Sequence, residues 1–349
     1  MWLVGMVFLA CQPKDAEGLD SADSVVDDSP PGDSEIGDSE VDTGVTALTL
    51  SFLDSRRVDP AAIWSGLSYD GETVRFTTMN ATQLQLHRWD AALEPVGEVV
   101  QLTTSEDTPE GQGIADHAHL WIDDHLYVAY CTGDARNLYL LKVDAEGERV
   151  GSIAAVAENA TGLTNDMHLA SDGESITVWW GDSGFEHWVR RYDFDLNPLE
   201  EAFAVHPLEP IPQLGSTVWH DGQFLKFTGD GPQRNLIVSR WDADHAPEEE
   251  FAQVVVPSEN NEWNWFSSGS AFDVERGVWF LAFNHMEDGQ AADTDATIRL
   301  AAFTEDFELL WADEVTGPGM TRPHLAVVED TLLLSYDGGV VFLDRFAIE

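Results

Sequence analysis

Short alternating runs of apolar and polar residues, separated by turn residues, dominate the chain from Thr46 onward. The stretch 161–205 shows the unit: an apolar entry at 167–169 and an Asp-Gly turn precede the runs 176–180 and 188–192. Alternation with a period of two over four to six residues predicts a half-buried β-strand. Apolar runs of helical period do not exceed about two turns. The pattern therefore predicts an all-β fold with four short strands per unit.

An acidic turn residue after the first strand of each unit repeats at a nearly constant spacing of about 50 residues. Its copies are Asp70, Asp123, Asp172, Asp221, Asp273 and Glu329. This period, with four strands per copy, predicts a single β-propeller over residues 45–349. Six four-stranded blades are expected, with five or seven still open. The last copy, 321–349, has only three strands, so the N-terminal strand at 46–53 is expected to close the last blade.

A second landmark, an Arg or Lys followed two residues later by Asp, recurs at the end of the third strand, as in Arg88-Trp89-Asp90 and Arg240-Trp241-Asp242. The Trp-Asp pair looks like part of a WD40 repeat. The Gly-His dipeptide of WD40 repeats is missing from the units, and the double glycine of kelch repeats occurs in the last unit alone, at Gly338-Gly339, so it does not recur with the period. The sequence therefore predicts a propeller without assigning it to a propeller family.

The N-terminus differs from the repeats. Residues 1–10 are apolar but too short to span a bilayer, and Cys11 follows directly. Phe8-Leu9-Ala10-Cys11 resembles the end of a bacterial lipoprotein signal peptide, and this resemblance implies cleavage before Cys11 and lipid attachment to it. A chance apolar N-terminus with a lone cysteine is the alternative. Residues 11–44, rich in Asp, Glu, Ser, Gly and Pro, are expected to form a disordered acidic linker.

The charge balance excludes one class of function. The chain has 64 acidic and 17 basic residues, a net charge of -47. Binding to nucleic acid requires basic residues that neutralise phosphates, so no nucleic acid partner is expected. A solvated acidic surface, as in a salty medium, explains the charge without a partner. A role in binding cations or basic proteins is the alternative.

Superposing the units gives the sharpest candidate site. His119, His168 and His324 hold the same position at the start of the innermost strand in blades two, three and six, and Asp116 and Asp166 precede two of them. The starts of inner strands surround one end of a propeller's central channel. These five residues are therefore axial ligand-binding candidates. The three imidazoles are also candidates for a divalent metal ion with one position open to water.

The ring of histidines is incomplete, because blades one, four and five carry Gly66, Thr217 and Gly269 at this position. The alternative to a functional site is that the repeated histidines hydrogen-bond the backbone of the neighbouring blade. His117 is a weaker candidate, expected to point away from the side of His119.

Aromatic residues form a second candidate site. Trp263 and Trp265 follow two asparagines at the entry to blade five, and Trp64 and Trp219 lie near the entries of blades one and four. Aromatic faces beside amides and carboxylates suit stacking on sugar rings, so a glycan or small polar ligand is a candidate partner. Packing between blades is the alternative.

The sequence predicts a lipid-anchored protein of the cell envelope, at the periplasm or cell surface, that acts as a binding or scaffold module. Its expected partners are the membrane, through the lipid, and a glycan, small polar ligand or protein. The alternative is a hydrolase or lyase that acts on a glycan or other exported substrate through the axial His and Asp residues, with or without a metal. The chain has no Gly-x-Ser-x-Gly elbow for nucleophilic catalysis. A surface protein without a small ligand is a third possibility.

Overall fold

The structure, a computed structural model, describes residues 48–59, 63–80, 83–108, 113–132, 137–158, 167–181, 187–205, 215–229, 234–258, 262, 268–287, 290 and 295–349. All of them lie within Thr46–Glu349. The predicted signal peptide and linker lie outside the described residues. Among the described residues there is no helix with the length and apolarity that crossing a membrane requires.

The described residues form six four-stranded antiparallel sheets, which are the blades of a six-bladed β-propeller. The first strand, β1 (Leu50–Asp59), belongs to the last sheet. Blade one is β2 (Ile63–Tyr69), β3 (Val74–Asn80), β4 (Gln83–Trp89) and β5 (Val100–Gln101); blade two is β6 (Ile114–Ile122), β7 (His125–Thr132), β8 (Leu138–Asp144) and β9 (Ala154–Ala157); blade three is β10 (His168–Ser171), β11 (Ile176–Gly181), β12 (His187–Tyr192) and β13 (Phe203–Val205).

The second half of the ring follows the same order from the axis outward. Blade four is β14 (Ser216–His220), β15 (Gln223–Gly229), β16 (Leu236–Trp241) and β17 (Pro247–Val256); blade five is β18 (Ser268–Asp273), β19 (Val278–His285), β20 (Thr297–Thr304) and β21 (Leu309–Glu314); blade six is β22 (Thr321–Val328), β23 (Thr331–Asp337) and β24 (Val341–Ile348), completed by β1. The prediction of six blades is confirmed.

The N-terminal strand closes the ring, as predicted. β1 pairs antiparallel with β24 from Leu50, opposite Ile348, to Asp59, opposite Val341. The guanidinium of Arg345 donates two hydrogen bonds, of 2.7 and 3.1 Å, to the carboxylate of Asp54 across this pair. The strand extends beyond the predicted range 46–53 because pairing with β24 continues through a polar segment that has no strand pattern of its own.

The hydrophobic core is divided among the six blade interfaces. Each interface has one cluster of buried side chains drawn from two neighbouring blades. Between blades three and four, the rings of Trp179 and Trp241 pack edge to face at 5.7 Å. Between blades four and five, Phe227 lies 5.5 Å from Trp279. Burial of such side chains contributes about 1.5–3 kcal/mol each, so the ring is held together mainly by contacts between blades.

The aspartate that recurs at the end of the third strand shapes the turn that follows it. After the third strand, one carboxylate oxygen accepts a hydrogen bond from the backbone N–H four residues later in each of four blades. The acceptors are Asp90, Asp144, Asp193 and Asp242, at 2.8–2.9 Å. The Asp of this second landmark therefore forms an Asx-type turn, and the turn starts the connection to the fourth strand.

Candidate axial binding site

The six inner strands surround one central channel. β2, β6, β10, β14, β18 and β22 each contact the next strand around the ring, and the last contacts the first. Residues from all six strands line a cavity of about 170 Å³ on this axis. At the position compared between units, the lining residues are Gly66, His119, His168, Thr217, Gly269 and His324. The structure thus brings the three predicted histidines to one space, and their binding role stays a prediction.

The glycine in blade one makes room for an imidazole of blade two. Gly66 pairs with Thr77 in the neighbouring strand. A Cβ atom at Gly66 would lie 2.8 Å from Thr77 Oγ1 and 2.9 Å from His119 Nδ1. Both distances are shorter than real Cβ contacts, so a side chain here would displace the imidazole.

The glycine in blade five has the same function for blade six. A Cβ atom at Gly269 would lie 2.6 Å from the carbonyl oxygen of Pro323 and 2.8 Å from the Cα atom of His324. Blades one and five therefore carry glycine instead of histidine because the neighbouring blade packs directly against the backbone at these positions. This reason for the irregular pattern is not visible in a single unit.

His119 and His117 share one hydroxyl group. Nδ1 of His119 lies 2.7 Å from Thr77 Oγ1, and Nε2 of His117 lies 3.0 Å from the same oxygen. The expectation that His117 points away from His119 was wrong, because residues two apart on a strand lie on the same side. The contact fixes the orientation of both rings, and it spans two blades.

The imidazoles of His117, His119 and His324 are uncharged at neutral pH. Burial, followed by the nearby His117 and His324, lowers the pKa of His119 from 6.5 to about 3. Burial, followed by the nearby imidazole of His324, lowers the pKa of His117 to about 3. Burial and then Arg322 lower the pKa of His324 to about 4. A neutral imidazole offers one N–H donor and one acceptor nitrogen, so these rings suit a polar ligand without charge.

Two polar atoms of the cavity lining have no hydrogen-bond partner among the described residues. They are Nε2 of His119 and Oγ1 of Thr217, the latter on a side chain that is 5% exposed. Buried polar atoms are almost always paired, with protein or with water, because an unpaired one costs about 1–3 kcal/mol. Both residues belong to the lining of the cavity, and the two atoms themselves are buried.

The predicted carboxylates do not line this cavity where the structure describes them. Asp116 is half-buried on β6, where one carboxylate oxygen accepts a 2.8 Å hydrogen bond from the N–H of His117. Asp166 lies outside the described residues. None of the described side chains that line the cavity is charged.

The described residues contain one group of three metal-ligating side chains whose ligand atoms all lie within 4.8 Å of one another. That group is His220, Asp221 and Glu305, and not the three axial histidines. The axial metal ion stays a prediction. The sequence pattern does not reveal this group, since Asp221 is one of the repeated turn residues and Glu305 lies in a different blade.

The aromatic candidates are mostly outside the described part of the chain. Trp263, Trp265 and the side chain of Trp64 are not described. Trp219 is half-buried and packs edge to face on Phe224 at 4.7 Å, as part of the cluster between blades three and four. The contact of Trp219 matches the packing alternative, and the glycan-binding face stays a prediction.

Comparisons with known proteins agree with the fold. The sequence matches no protein-family model, and no curated protein matches it. Among solved structures, it is similar to a luciferin-regenerating enzyme, with a TM-score of 0.54 and 12% identity over 86% of this chain and 95% of that one. AofleA from Arthrobotrys oligospora gives a TM-score of 0.54 and 12% identity over 88% and 89%.

A member of the DUF4221 family from Bacteroides vulgatus is a third similar structure. Its TM-score is 0.51, with 10% identity over 87% of this chain and 99% of that one. The shared feature is the fold. At such low identity these similarities carry no information on ligand or reaction.

Proposed function

We propose that this protein is an exported, lipid-anchored β-propeller that binds a small, uncharged, polar molecule in its axial channel. The observation that carries the proposal is the pair of unpaired polar atoms, His119 Nε2 and Thr217 Oγ1, at a cavity lined by all six blades. A ligand with hydroxyl or amide groups would complete the hydrogen bonding of both.

The size and lining of the cavity restrict the ligand. About 170 Å³ is below the roughly 300–1,000 Å³ of sites for drug-sized molecules. The lining combines Ser216 and Ser270, whose hydroxyl groups hydrogen-bond each other at 2.6 Å, with apolar residues such as Leu120 and Leu169. A net charge of -47 repels anions over long range. A molecule no larger than a monosaccharide, with hydroxyl groups and apolar C–H faces, matches these properties.

The geometry favours binding over the alternative of a hydrolase or lyase. General acid–base catalysis is most efficient when the pKa of the catalytic group lies near the working pH. Burial lowers the pKa of His119 to about 3 and that of His324 to about 4, so neither exchanges protons readily at neutral pH. The described lining also lacks a carboxylate that would orient an imidazole.

The location in the cell envelope is supported by the sequence alone. Cys11 follows the apolar segment, and the acidic linker separates it from the propeller. Growth with labelled palmitate tests the anchor. Label on the parent but not on a Cys11→Ser variant is expected, while an unlabelled parent would contradict lipidation.

Replacing Thr217 by Val is expected to weaken ligand binding at least tenfold, because the ligand's polar group would lose its partner in a buried site. The measurement is calorimetric titration of the full chain with a panel of monosaccharides and polyols. Thr228→Val is the matched control, since Oγ1 of Thr228 is also buried and unpaired in blade four but does not line the cavity.

The control variant should bind like the parent. Equal affinities of both variants and the parent would place the ligand elsewhere. A parent that binds nothing in the panel would contradict the proposed ligand class.

A further inference from the structure

A second cavity lies between blades four and five, away from the axial lining. It has a volume of about 320 Å³, and His220, Asp221, Arg240, Glu305 and Asp306 are among the residues that line it. His220 ends β14 and Asp221 starts the turn to β15, whereas Glu305 lies in the turn between β20 and β21. The site is therefore built from two hairpins on different blades.

The imidazole of His220 is held in place by blade five. Its ring packs edge to face on Phe272 at 4.5 Å and on Trp279 at 5.0 Å. Its Nε2 atom lies 3.1 Å from a carboxylate oxygen of Glu305. Asp221 has a left-handed φ of 50° in the turn, and a carboxylate oxygen of Asp221 lies within 4.8 Å of the ligand atoms of this pair.

The spacing of these atoms is close to that of a metal site. One ligand atom from each of His220, Asp221 and Glu305 lies within 4.8 Å of the other two. Zinc bonds of about 2.0–2.2 Å at tetrahedral angles put neighbouring ligand atoms about 3.4 Å apart. The His220–Glu305 distance of 3.1 Å is close to this value, and the carboxylates of Asp221 and Glu305 are exposed, so they are free to rotate towards an ion.

The donor types narrow the class of ion. Calcium and magnesium prefer oxygen ligands alone, whereas an imidazole nitrogen beside two carboxylates suits zinc and neighbouring transition metals. The cavity lining has three carboxylates and one guanidinium, from Arg240, so its charge also favours a cation.

We propose that His220, Asp221 and Glu305 form a binding site for a divalent transition metal ion of the zinc type, which joins blade four to blade five. The cavity leaves the remaining coordination positions open to water or to a ligand. The site is independent of the axial channel and of the function proposed for it.

Titration of the full chain with Zn²⁺, after removal of bound metal by a chelator, tests the proposal. The parent is expected to bind one Zn²⁺. His220→Ala and Glu305→Gln are each expected to lower the affinity for this ion at least tenfold. Co²⁺ in place of Zn²⁺ should give visible absorption bands that both variants lose. Zn²⁺ should also raise the Tm of the parent and not that of the variants.

His125→Ala is the matched control. His125 lies in the corresponding hairpin of blade two, next to Asp123 and Asp124, and its Nδ1 is 2.9 Å from the carbonyl oxygen of Asp123. It belongs to no group of three ligands among the described residues. This variant should bind Zn²⁺ like the parent, and His119→Ala should do so as well.

Three results would overturn the proposal: a parent that binds no Zn²⁺, equal binding by the parent and both site variants, or an equal loss in His125→Ala. Glu305 is exposed, so Glu305→Gln keeps the test valid even if His220→Ala is unstable. A loss of Zn²⁺ in His119→Ala alone would move the metal to the axial channel.

Discussion

Replacing Lys226 by Met is expected to abolish a large rise in stability between pH 7 and about pH 9.5. Lys226 is 1% exposed, and burial lowers the pKa of its ammonium group from 10.5 to about 7. Its Nζ atom lies 2.7 Å from Nδ1 of His187 and 4.6 Å from the ring centre of Trp179. The side chain of this blade-four residue is thus enclosed by blade three.

The direction of the pH effect follows from the two protonation states. Between pH 7 and 10.5 the unfolded chain holds a proton on Lys226 that the folded protein has released. The free energy of unfolding therefore rises with pH across this range, by on the order of 4 kcal/mol in total. Below pH 7 both states are protonated and the contribution is constant. Met removes the titration, so the gain in unfolding free energy of the variant over the parent is largest at pH 7 and below.

Urea unfolding of both proteins at pH 7 and about pH 9.5 measures the effect. Tyrosines in the unfolded chain are still mostly protonated at about pH 9.5, and their partial ionisation is the same in both proteins. Lys142→Met is the matched control, because the ammonium of Lys142 donates to the Phe194 carbonyl and lies 3.8 Å from the Asp195 carboxylate. The Lys142→Met variant should retain the rise in unfolding free energy between pH 7 and about pH 9.5. Parallel pH dependences in the parent and Lys226→Met would contradict a neutral buried lysine.

Replacing Gly269 by Ala is the second change with a large expected effect. The new Cβ would lie 2.6 Å from a backbone carbonyl oxygen and 2.8 Å from the Cα atom of His324, and backbone atoms cannot rotate away. The side chain would force β18 and β22 apart at the axis. Overpacking of this kind costs typically 1–3 kcal/mol of unfolding free energy.

Gly317→Ala is the control for this change, since a Cβ there meets no atom within 4 Å and its φ is not left-handed. Its stability should stay within about 0.5 kcal/mol of the parent. Thermal and urea unfolding measure both variants. A Gly269→Ala protein as stable as the Gly317→Ala protein would show that blades five and six are less tightly joined than the structure indicates.

The features that repeat with the unit were predictable from the sequence. The period near 50, the four runs per unit and the missing strand of the last unit led to six blades and closure by the N-terminal strand. The same comparison of units placed His119, His168 and His324 on one channel, because equivalent positions in a closed ring face a common axis.

Contacts between units were not predictable in this way. The sequence gives no sign that Thr77 bridges His117 and His119, or that Gly66 and Gly269 admit the next blade. Each contact depends on distances between different sheets, which a repeat period does not contain. The error over His117 had another origin, since the alternation rule itself places residues two apart on one side.

The pair of His220 and Glu305 shows the same limit. The two residues are separated by 85 positions. They meet because the turn after the first strand of blade four and the turn after the third strand of blade five lie on the same side of the ring. Acidic residues are frequent in this chain, so Glu305 carries no signal in the sequence. Only the geometry singles it out.

The central claim is that the axial channel binds a small polar ligand through His119, and nitrogen NMR of the ¹⁵N-histidine-labelled full chain tests it most directly. Adding the tightest-binding member of the monosaccharide and polyol panel should shift the Nε2 signal of His119, while the buried His187, outside the cavity lining, stays unchanged. Binding of that compound without any change at His119 would contradict the account.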